Sequence, residues 1–137
     1  MVSSKTNKKK NDVIKFSKML NDKKLSALRS GNISVRHNNG FFITPSGKKY
    51  SSLKVKDIVF VSLDGKYEKK YKPSSEWRFH QDIYIKKKDA QAIVHTHSTN
   101  ATALSVHKKP IPAFHYMVAL AGGCLLYTSP SPRDWMV

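Results

Sequence analysis

The sequence has one cysteine, few acidic residues and no long apolar run. Cys124 is the single cysteine among 137 residues, so the chain can form neither an intrachain disulfide nor a thiolate metal cluster. A metal site would therefore use histidine and carboxylate ligands. The longest apolar runs are strand-sized, and no apolar segment follows the basic N-terminus, which argues against a membrane-spanning helix and a signal peptide. We expect a soluble, cytoplasmic protein.

Acidic residues are scarce beside basic ones. Nine acidic and 25 basic residues give a formal net charge of +16. The lysines occur in short runs along the whole chain, without zinc-finger spacing, an RNA-binding aromatic motif or a long basic arm. This pattern predicts solvated surface lysines, with neither a nucleic acid nor a membrane as partner, although a basic nucleic-acid binder remains the alternative. A positive surface would also attract a phosphorylated substrate.

Periodicity and turn residues predict a mixed α/β chain after a disordered basic lead over residues 1–11. A helical stripe begins near Asp12, which could be its N-cap, and breaks near Asn21. Alternation, turn signals and caps then predict the remaining elements: a hairpin of strands 33–37 and 41–44, a second hairpin of 58–63 and 66–68, a helix over 76–87, a strand over 92–96 and a helix over 98–106.

Two histidines at the end of the last predicted strand are candidate metal ligands. His95 and His97 are separated by one residue, so in a strand both imidazoles lie on one face, roughly 6.6 Å apart along the chain. Glu76 could add a carboxylate, since it lies in the first turn of the helix that leads into this strand. The alternatives stay open: strand-end histidines also occur as hydrogen-bonded surface residues, and an acid in a first helical turn can serve only the helix dipole.

Small polar turns form a second candidate site. Ser74 and Ser75 stand at a predicted helix start, where hydroxyls and free backbone N–H groups bind anions. Two other turns, at residues 31–32 and 44–47, could add donors, although turn chemistry alone explains all three. Tyr116 could be a general acid, but its sequence setting favours a buried aromatic. The remaining histidines, including His80, are predicted to be structural or exposed.

Five ordered motifs resemble the class II aldolase/adducin family, closest to its sugar-phosphate aldolase branch. The resemblance covers about residues 12–123. Its motifs are Gly31-Asn32-Ile33-Ser34-Val35-Arg36, Ile43-Thr44-Pro45-Ser46-Gly47, Pro73-Ser74-Ser75-Glu76-Trp77-Arg78-Phe79-His80, Val94-His95-Thr96-His97-Ser98 and Ile111-Pro112-Ala113-Phe114-His115-Tyr116-Met117.

The resemblance implies a three-layer α/β/α domain around a mainly antiparallel sheet, assembled as a homotetramer with active sites between subunits. It implies zinc-dependent cleavage of a ketose 1-phosphate, such as L-fuculose 1-phosphate, to dihydroxyacetone phosphate and an aldehyde. It implies zinc ligation by His95, His97 and Glu76, with Glu76 also serving as the acid/base, and a catalytic Tyr116 that reaches a neighbouring subunit's site. The residues that match phosphate-binding positions are Asn32, Ser46, Gly47, Ser74 and Ser75.

The sequence departs from the family pattern after Gly123. The family takes a third histidine ligand from a downstream His-Gly segment, and no residue of this chain matches it. We therefore expect a C-terminally truncated domain over residues 12–123, a non-family tail over 124–137, and weak, substoichiometric zinc binding. The alternatives are a pentulose-phosphate epimerase, a methylthioribulose-phosphate dehydratase and a non-catalytic adducin-like module.

Overall fold

The structure is a computed structural model, and it describes residues 2–26 and 30–107. The chain divides into two compact units, Met1–Thr96 and His97–Val137. The first unit contains α1 (Val2–Asp22), β1 (Asn32–His37), β2 (Gly40–Ile43), single 3₁₀ turns at Tyr50–Ser52 and Val55–Asp57, β3 (Val59–Ser62), α2 (Trp77–Lys86) and β4 (Ala92–His95). The second unit contains α3 (Thr99–Val106). None of the helices in this described part is both long and apolar enough to cross a bilayer.

The strands form one antiparallel sheet in the order β3-β2-β1-β4. The tight turn between β1 and β2 pairs His37 with Gly40, and Asn38 adopts a positive φ of 49°, a conformation that asparagine tolerates. β4 returns from α2 to the outer side of β1, where His95 pairs with Asn32. This register joins the start of β1 to the end of β4.

Side chains alternate along the strands, so apolar residues point to both faces of the sheet, and a helix packs on each face. Phe42 points to the face covered by α1, in a cluster with Val13, while the adjacent Phe41 points to the opposite face, where it packs with Tyr84 of α2. The first unit therefore has three layers, α/β/α. This arrangement confirms the predicted fold class.

The structure corrects the predicted disordered lead and the N-cap at Asp12. Residues 2–11 belong to α1, which lacks any glycine or proline, and its lysines favour helix. Lys9 Nζ donates a hydrogen bond to the Arg36 carbonyl oxygen at 2.7 Å, and Lys10 Nζ lies 5.0 Å from the centre of the Phe42 ring. These contacts with the sheet stabilise the part of α1 that precedes its apolar stripe.

The second predicted hairpin is wrong, because residues 66–68 form no strand. Two backbone hydrogen bonds close the turn after β3, from Ser62 N to Lys66 O at 3.0 Å and from Gly65 N to Ser62 O at 2.9 Å. The Ser62 hydroxyl also accepts from Lys66 N and contacts Asp64. Backbone and side-chain bonds together fix this turn at Asp64-Gly65, and no return strand follows it.

Gly31 is expected to be intolerant of a side chain. Its φ is +82°, and a Cβ there would lie 2.7 Å from the His95 carbonyl oxygen, which is fixed by the sheet. Gly31→Ala should lower the free energy of unfolding by about 3 kcal/mol through backbone strain and overpacking. Gly47→Ala is the matched control, since Gly47 has a φ of +75° but no atom within 4 Å of such a Cβ. Its expected cost is about 1 kcal/mol, and equal costs in urea denaturation would contradict the close approach.

Asp57 is expected to contribute acid-sensitive stability. Lys48 Nζ lies 2.5 Å from Asp57 Oδ1, and Oδ2 accepts from the Lys54 N–H at 2.9 Å. The hydrogen bond from Lys48 is the main cause that lowers the pKa of Asp57 below its ordinary value. The ionised form is thus favoured by folding, so this stability is present above about pH 3.9 and is lost as the pH falls through the lowered pKa.

Urea denaturation from pH 6 to pH 2 tests this contribution. Asp57→Asn should cost about 1 kcal/mol near neutral pH and should flatten the acid limb of the stability curve. Asp89→Asn, at an exposed position, is the control and should leave that limb unchanged. An acid limb that is as steep in Asp57→Asn as in the unmodified chain would remove Asp57 as its source.

Candidate active site

Glu76 and His95 meet where the start of α2 approaches the end of β4. Glu76 is the N-cap of α2, and His95 is the last residue of β4. Glu76 Oε2 lies 3.5 Å from His95 Nε2, and the two side chains are 10% and 27% exposed. The Phe79 ring packs edge-on against the His95 imidazole, with ring centres 5.1 Å apart. The structure therefore brings together two of the predicted metal ligands.

The separation of these two atoms suits a shared cation. Nitrogen and oxygen ligands that each lie about 2.0–2.1 Å from a tetrahedral zinc ion are roughly 3.3 Å apart. The observed 3.5 Å between Glu76 and His95 is close to that value. His97, the third predicted ligand, follows β4 as the first residue of the second unit and is partly buried. Two imidazoles and a carboxylate form a donor set that fits zinc-like ions.

Asn32 connects Glu76 to the interior of the first unit. The Asn32 side-chain amide donates to Glu76 Oε2, and its carbonyl oxygen contacts His80 Nε2. On the other side of the ring, His80 Nδ1 lies 2.7 Å from the Ser34 hydroxyl, which lies 2.8 Å from the Tyr84 hydroxyl. We call Asn32, Ser34, His80 and Tyr84 the buried polar cluster.

His80 is buried and neutral within this cluster. Desolvation by burial, with a smaller contribution from the nearby His95, lowers the pKa of His80 to about 3. The sequence predicts His80 to be structural or exposed, and the structure shows it fully buried, which agrees with the first alternative. Two sequence signals could have indicated its place: it follows Glu76 by four residues, on the same helical face, and Asn32 and Ser34 are alternate polar positions of one strand.

Arg36 fixes the other end of α2. Its guanidinium donates to the carbonyl oxygens of Tyr84, Lys87 and Ala90 at 2.8, 2.9 and 2.7 Å. These carbonyls lie at and beyond the end of the helix, where cations are favoured by the helix dipole. Arg36 on β1 thus ties α2 to the sheet at one end, while Asn32 contacts Glu76 at the other.

The polar turns predicted to bind phosphate lie side by side. Ser74 N donates to Thr44 O, and Ser46 N donates to Lys72 O, both at 2.9 Å. Gly47 and Ser75 are exposed, whereas Ser74 is buried and its hydroxyl accepts from the Glu76 N–H at 3.4 Å. The structure therefore joins the 44–47 turn to the start of α2.

Of the remaining predicted site residues, the structure describes Asn32 but not Tyr116. Asn32, the fifth predicted phosphate residue, is only 2% exposed, and its amide is engaged by Glu76 and His80. Tyr116 and the predicted tail from residue 124 lie outside the described residues. The roles assigned to all these residues remain predictions.

Sequence comparison relates the chain to a family and to named enzymes. The profile of the Class II Aldolase and Adducin N-terminal domain matches residues 11–133. A 5-methylthioribulose-1-phosphate/5-deoxyribulose-1-phosphate aldolase of Rhodospirillum rubrum is 52% identical over 94 residues, which are 69% of this chain and 42% of that protein. An L-fuculose phosphate aldolase of Escherichia coli K12 is 45% identical over 109 residues, 77% of this chain and 51% of that protein.

Solved structures show the same likeness. An L-fuculose 1-phosphate aldolase superposes with a TM-score of 0.78 at 38% identity, over 82% of this chain and 55% of that one. An l-fuculose-1-phosphate aldolase from Thermus thermophilus gives a TM-score of 0.68 at 30% identity, over 77% and 54% of the two chains. The chain spans about half the length of the curated relatives it matches.

Proposed function

Because the chain belongs to the class II aldolase and adducin family, we propose that its Glu76 site serves a metal-dependent aldolase that cleaves a ketose 1-phosphate. The observation that carries the proposal is the Glu76 carboxylate facing the His95 imidazole at 3.5 Å, beside the turns that could hold a phosphate. The named aldolase relatives support the reaction class, since L-fuculose phosphate and 5-deoxyribulose 1-phosphate are phosphorylated sugars.

The proposal assigns the metal to Glu76, His95 and His97, a donor set that could hold one ion. We infer zinc from two imidazoles and a carboxylate, a donor set that zinc binds. When bound, such an ion supplies positive charge that stabilises the anion left on the substrate by carbon–carbon cleavage. Phe79 restrains the His95 ring by its edge-on contact, which lowers the entropy cost of holding the ion.

Glu76 is proposed to move the proton. In cleavage, a hydroxyl of the ketose loses its proton as the adjacent carbon–carbon bond breaks and that carbon becomes an aldehyde. The electron pair remains on the other carbon, which then takes up a proton to give dihydroxyacetone phosphate. The Glu76 carboxylate can take up the hydroxyl proton and, as the carboxylic acid, donate it to that carbon; only 10% exposed, it is screened from bulk water and transfers the proton in a fixed direction. Tyr116 is proposed as a second proton donor.

The substrate phosphate is proposed to bind Ser46, Gly47, Ser74 and Ser75. The positive end of the α2 dipole, the exposed Ser75 and a neighbouring turn with positive φ at Gly47 suit an anion. Asn32 could contribute only its second amide hydrogen, because the first is donated to Glu76. The net positive charge of the chain favours an anionic ligand. Homotetramer assembly remains a prediction from the family resemblance, and a cytoplasmic location remains a prediction from the composition and the apolar runs of the sequence.

A chimera tests the function without depending on the length of this chain. The 109 residues that match the E. coli K12 L-fuculose phosphate aldolase replace the corresponding residues of that enzyme. With zinc, the chimera should release dihydroxyacetone phosphate from L-fuculose 1-phosphate, which a coupled reduction assay measures. A chimera that folds and binds zinc, but cleaves neither this substrate nor 5-deoxyribulose 1-phosphate, would contradict the proposal.

A second candidate substrate is 5-deoxyribulose 1-phosphate. The observation that favours it is the R. rubrum relative, which is 52% identical to the chain over its matched residues. The same assay compares the two substrates by kcat/KM. Conversion of a pentulose phosphate without loss of carbon–carbon bonds would instead favour an epimerase.

A further inference from the structure

We propose that Ser34, His80 and Tyr84 are positioning residues that orient the Glu76 carboxylate through Asn32, by a chain of hydrogen bonds whose donors all point toward that carboxylate. The inference rests on the proposed function, because the orientation of Glu76 matters for the metal binding and proton transfer proposed there. None of the three residues contacts Glu76 directly in the described hydrogen bonds. Their effect must pass through the Asn32 side chain.

The direction of the chain follows from the chemistry of its last member. An ionised carboxylate only accepts hydrogen bonds, so the Asn32 atom that faces Glu76 Oε2 is the amide nitrogen. The Asn32 carbonyl oxygen then faces His80, and it can only accept. His80 Nε2 must therefore carry the ring hydrogen.

The rest of the chain is fixed by that tautomer. A neutral imidazole with its hydrogen on Nε2 has an acceptor at Nδ1, so the Ser34 hydroxyl donates to it across 2.7 Å. The Ser34 oxygen then accepts from the Tyr84 hydroxyl across 2.8 Å. Every hydrogen from Tyr84 to Asn32 consequently points toward Glu76.

Burial makes this single direction stable. Asn32, Ser34, His80 and Tyr84 are each at most 2% exposed, so water does not replace their partners. Reversing one member would leave a buried donor or acceptor unsatisfied, at a cost of about 1–3 kcal/mol. Aligned hydrogen bonds also polarise one another in a low-dielectric interior.

Charge at the two ends agrees with the same direction. The chain begins at Tyr84, whose ring lies 4.6 Å from the Arg36 guanidinium, and it ends at the Glu76 carboxylate. A cation beside the first donor, and a last acceptor that is itself an anion, both favour hydrogens that point toward Glu76. The buried polar cluster thus holds one carboxylate oxygen of Glu76 in place and leaves its proton-transfer role to the carboxyl group itself.

Nitrogen-15 NMR of the histidine side chains tests the proposal on the chain without metal. We expect His80 to be neutral with its hydrogen on Nε2 between pH 5 and pH 8. Ser34→Ala should keep the hydrogen on Nε2, which the Asn32 carbonyl oxygen still requires, but should shift the His80 Nδ1 resonance and the Asn32 side-chain amide protons, since Nδ1 loses its donor. Tyr84→Phe should produce the same changes with smaller amplitude. A wild-type His80 with its hydrogen on Nδ1 would overturn the proposal.

Ser17→Ala is the matched control. Ser17 is also fully buried and its hydroxyl donates to the Val13 carbonyl oxygen at 2.7 Å, within α1. Both serine variants should lose stability, but Ser17→Ala should leave the His80 Nδ1 resonance and the Asn32 amide shifts unchanged. Equal Asn32 shifts in the two variants would reduce the cluster to a structural role and overturn the proposal.

Zinc titration gives a second readout. Ser34→Ala should weaken zinc binding by about 10-fold, as is usual for loss of a residue that supports a metal ligand, and Ser17→Ala should not. The two proposals can fail separately. An inactive chimera together with the expected tautomer and amide shifts contradicts the aldolase function alone, whereas an active chimera with the wrong tautomer contradicts the positioning role alone.

Discussion

Replacing Glu76 with glutamine is expected to lower aldol cleavage by about 10²- to 10⁴-fold, the usual contribution of a positioned proton-transfer group. Glutamine has the same shape, and its carbonyl oxygen can still accept from the Asn32 amide, so the fold should be retained. What is lost is the ability to take up and release a proton. Release of dihydroxyacetone phosphate by the chimera, with and without the substitution, measures the effect.

Glu68→Gln is the control for this substitution. Glu68 is an exposed glutamate in the segment after β3, so its replacement removes the same charge outside the site. Cleavage by Glu68→Gln should match that of the unmodified chimera. If Glu76→Gln were as active as Glu68→Gln, Glu76 would have no part in proton transfer.

His95→Ala should abolish zinc binding, with a loss of at least about 100-fold in affinity. Removing a residue that only supports a metal ligand already costs about 10- to 100-fold, and loss of the ligand itself must cost more. Only Glu76 and His97 would remain of the proposed donor set. Equilibrium dialysis against buffered zinc measures the affinity of the chain, and circular dichroism checks that the variant is folded.

His107→Ala separates the site from general binding to histidine. His107 follows α3 and is exposed, so its loss should leave the zinc affinity unchanged. Equal affinities for the two histidine variants would show that zinc binds elsewhere and would remove His95 from the site.

Local elements of the fold were predictable because their signals are local. Apolar alternation and the Asn38 turn predicted the β1–β2 hairpin, and the predicted helix over 76–87 differs from α2, Trp77–Lys86, by one residue at each end. Prediction failed where tertiary contacts decide the secondary structure. The first ten residues of α1 carry no apolar stripe and are helical beside the sheet through Lys9 and Lys10.

The residues of the candidate site were likewise predictable only in part. A motif search identifies Glu76, His95 and His97 because donor type and spacing are properties of the sequence. The prediction for His80, structural or exposed, did not decide between the two, because part of the signal for its burial lies on another element, at Asn32 and Ser34 of β1. The fully buried residues of α2 are His80 and Tyr84, while Trp77 also packs against the sheet.

The sequence by itself determined the donor groups, the family and the local elements. Only the tertiary structure decided that Glu76 faces His95, and that Asn32, 44 residues before Glu76, holds its carboxylate. The physical reason is the antiparallel register of β1 and β4, which sets Asn32 opposite His95, together with the packing of α2 across the sheet. Contacts between such distant residues depend on chain folding as a whole, and no local pattern encodes them.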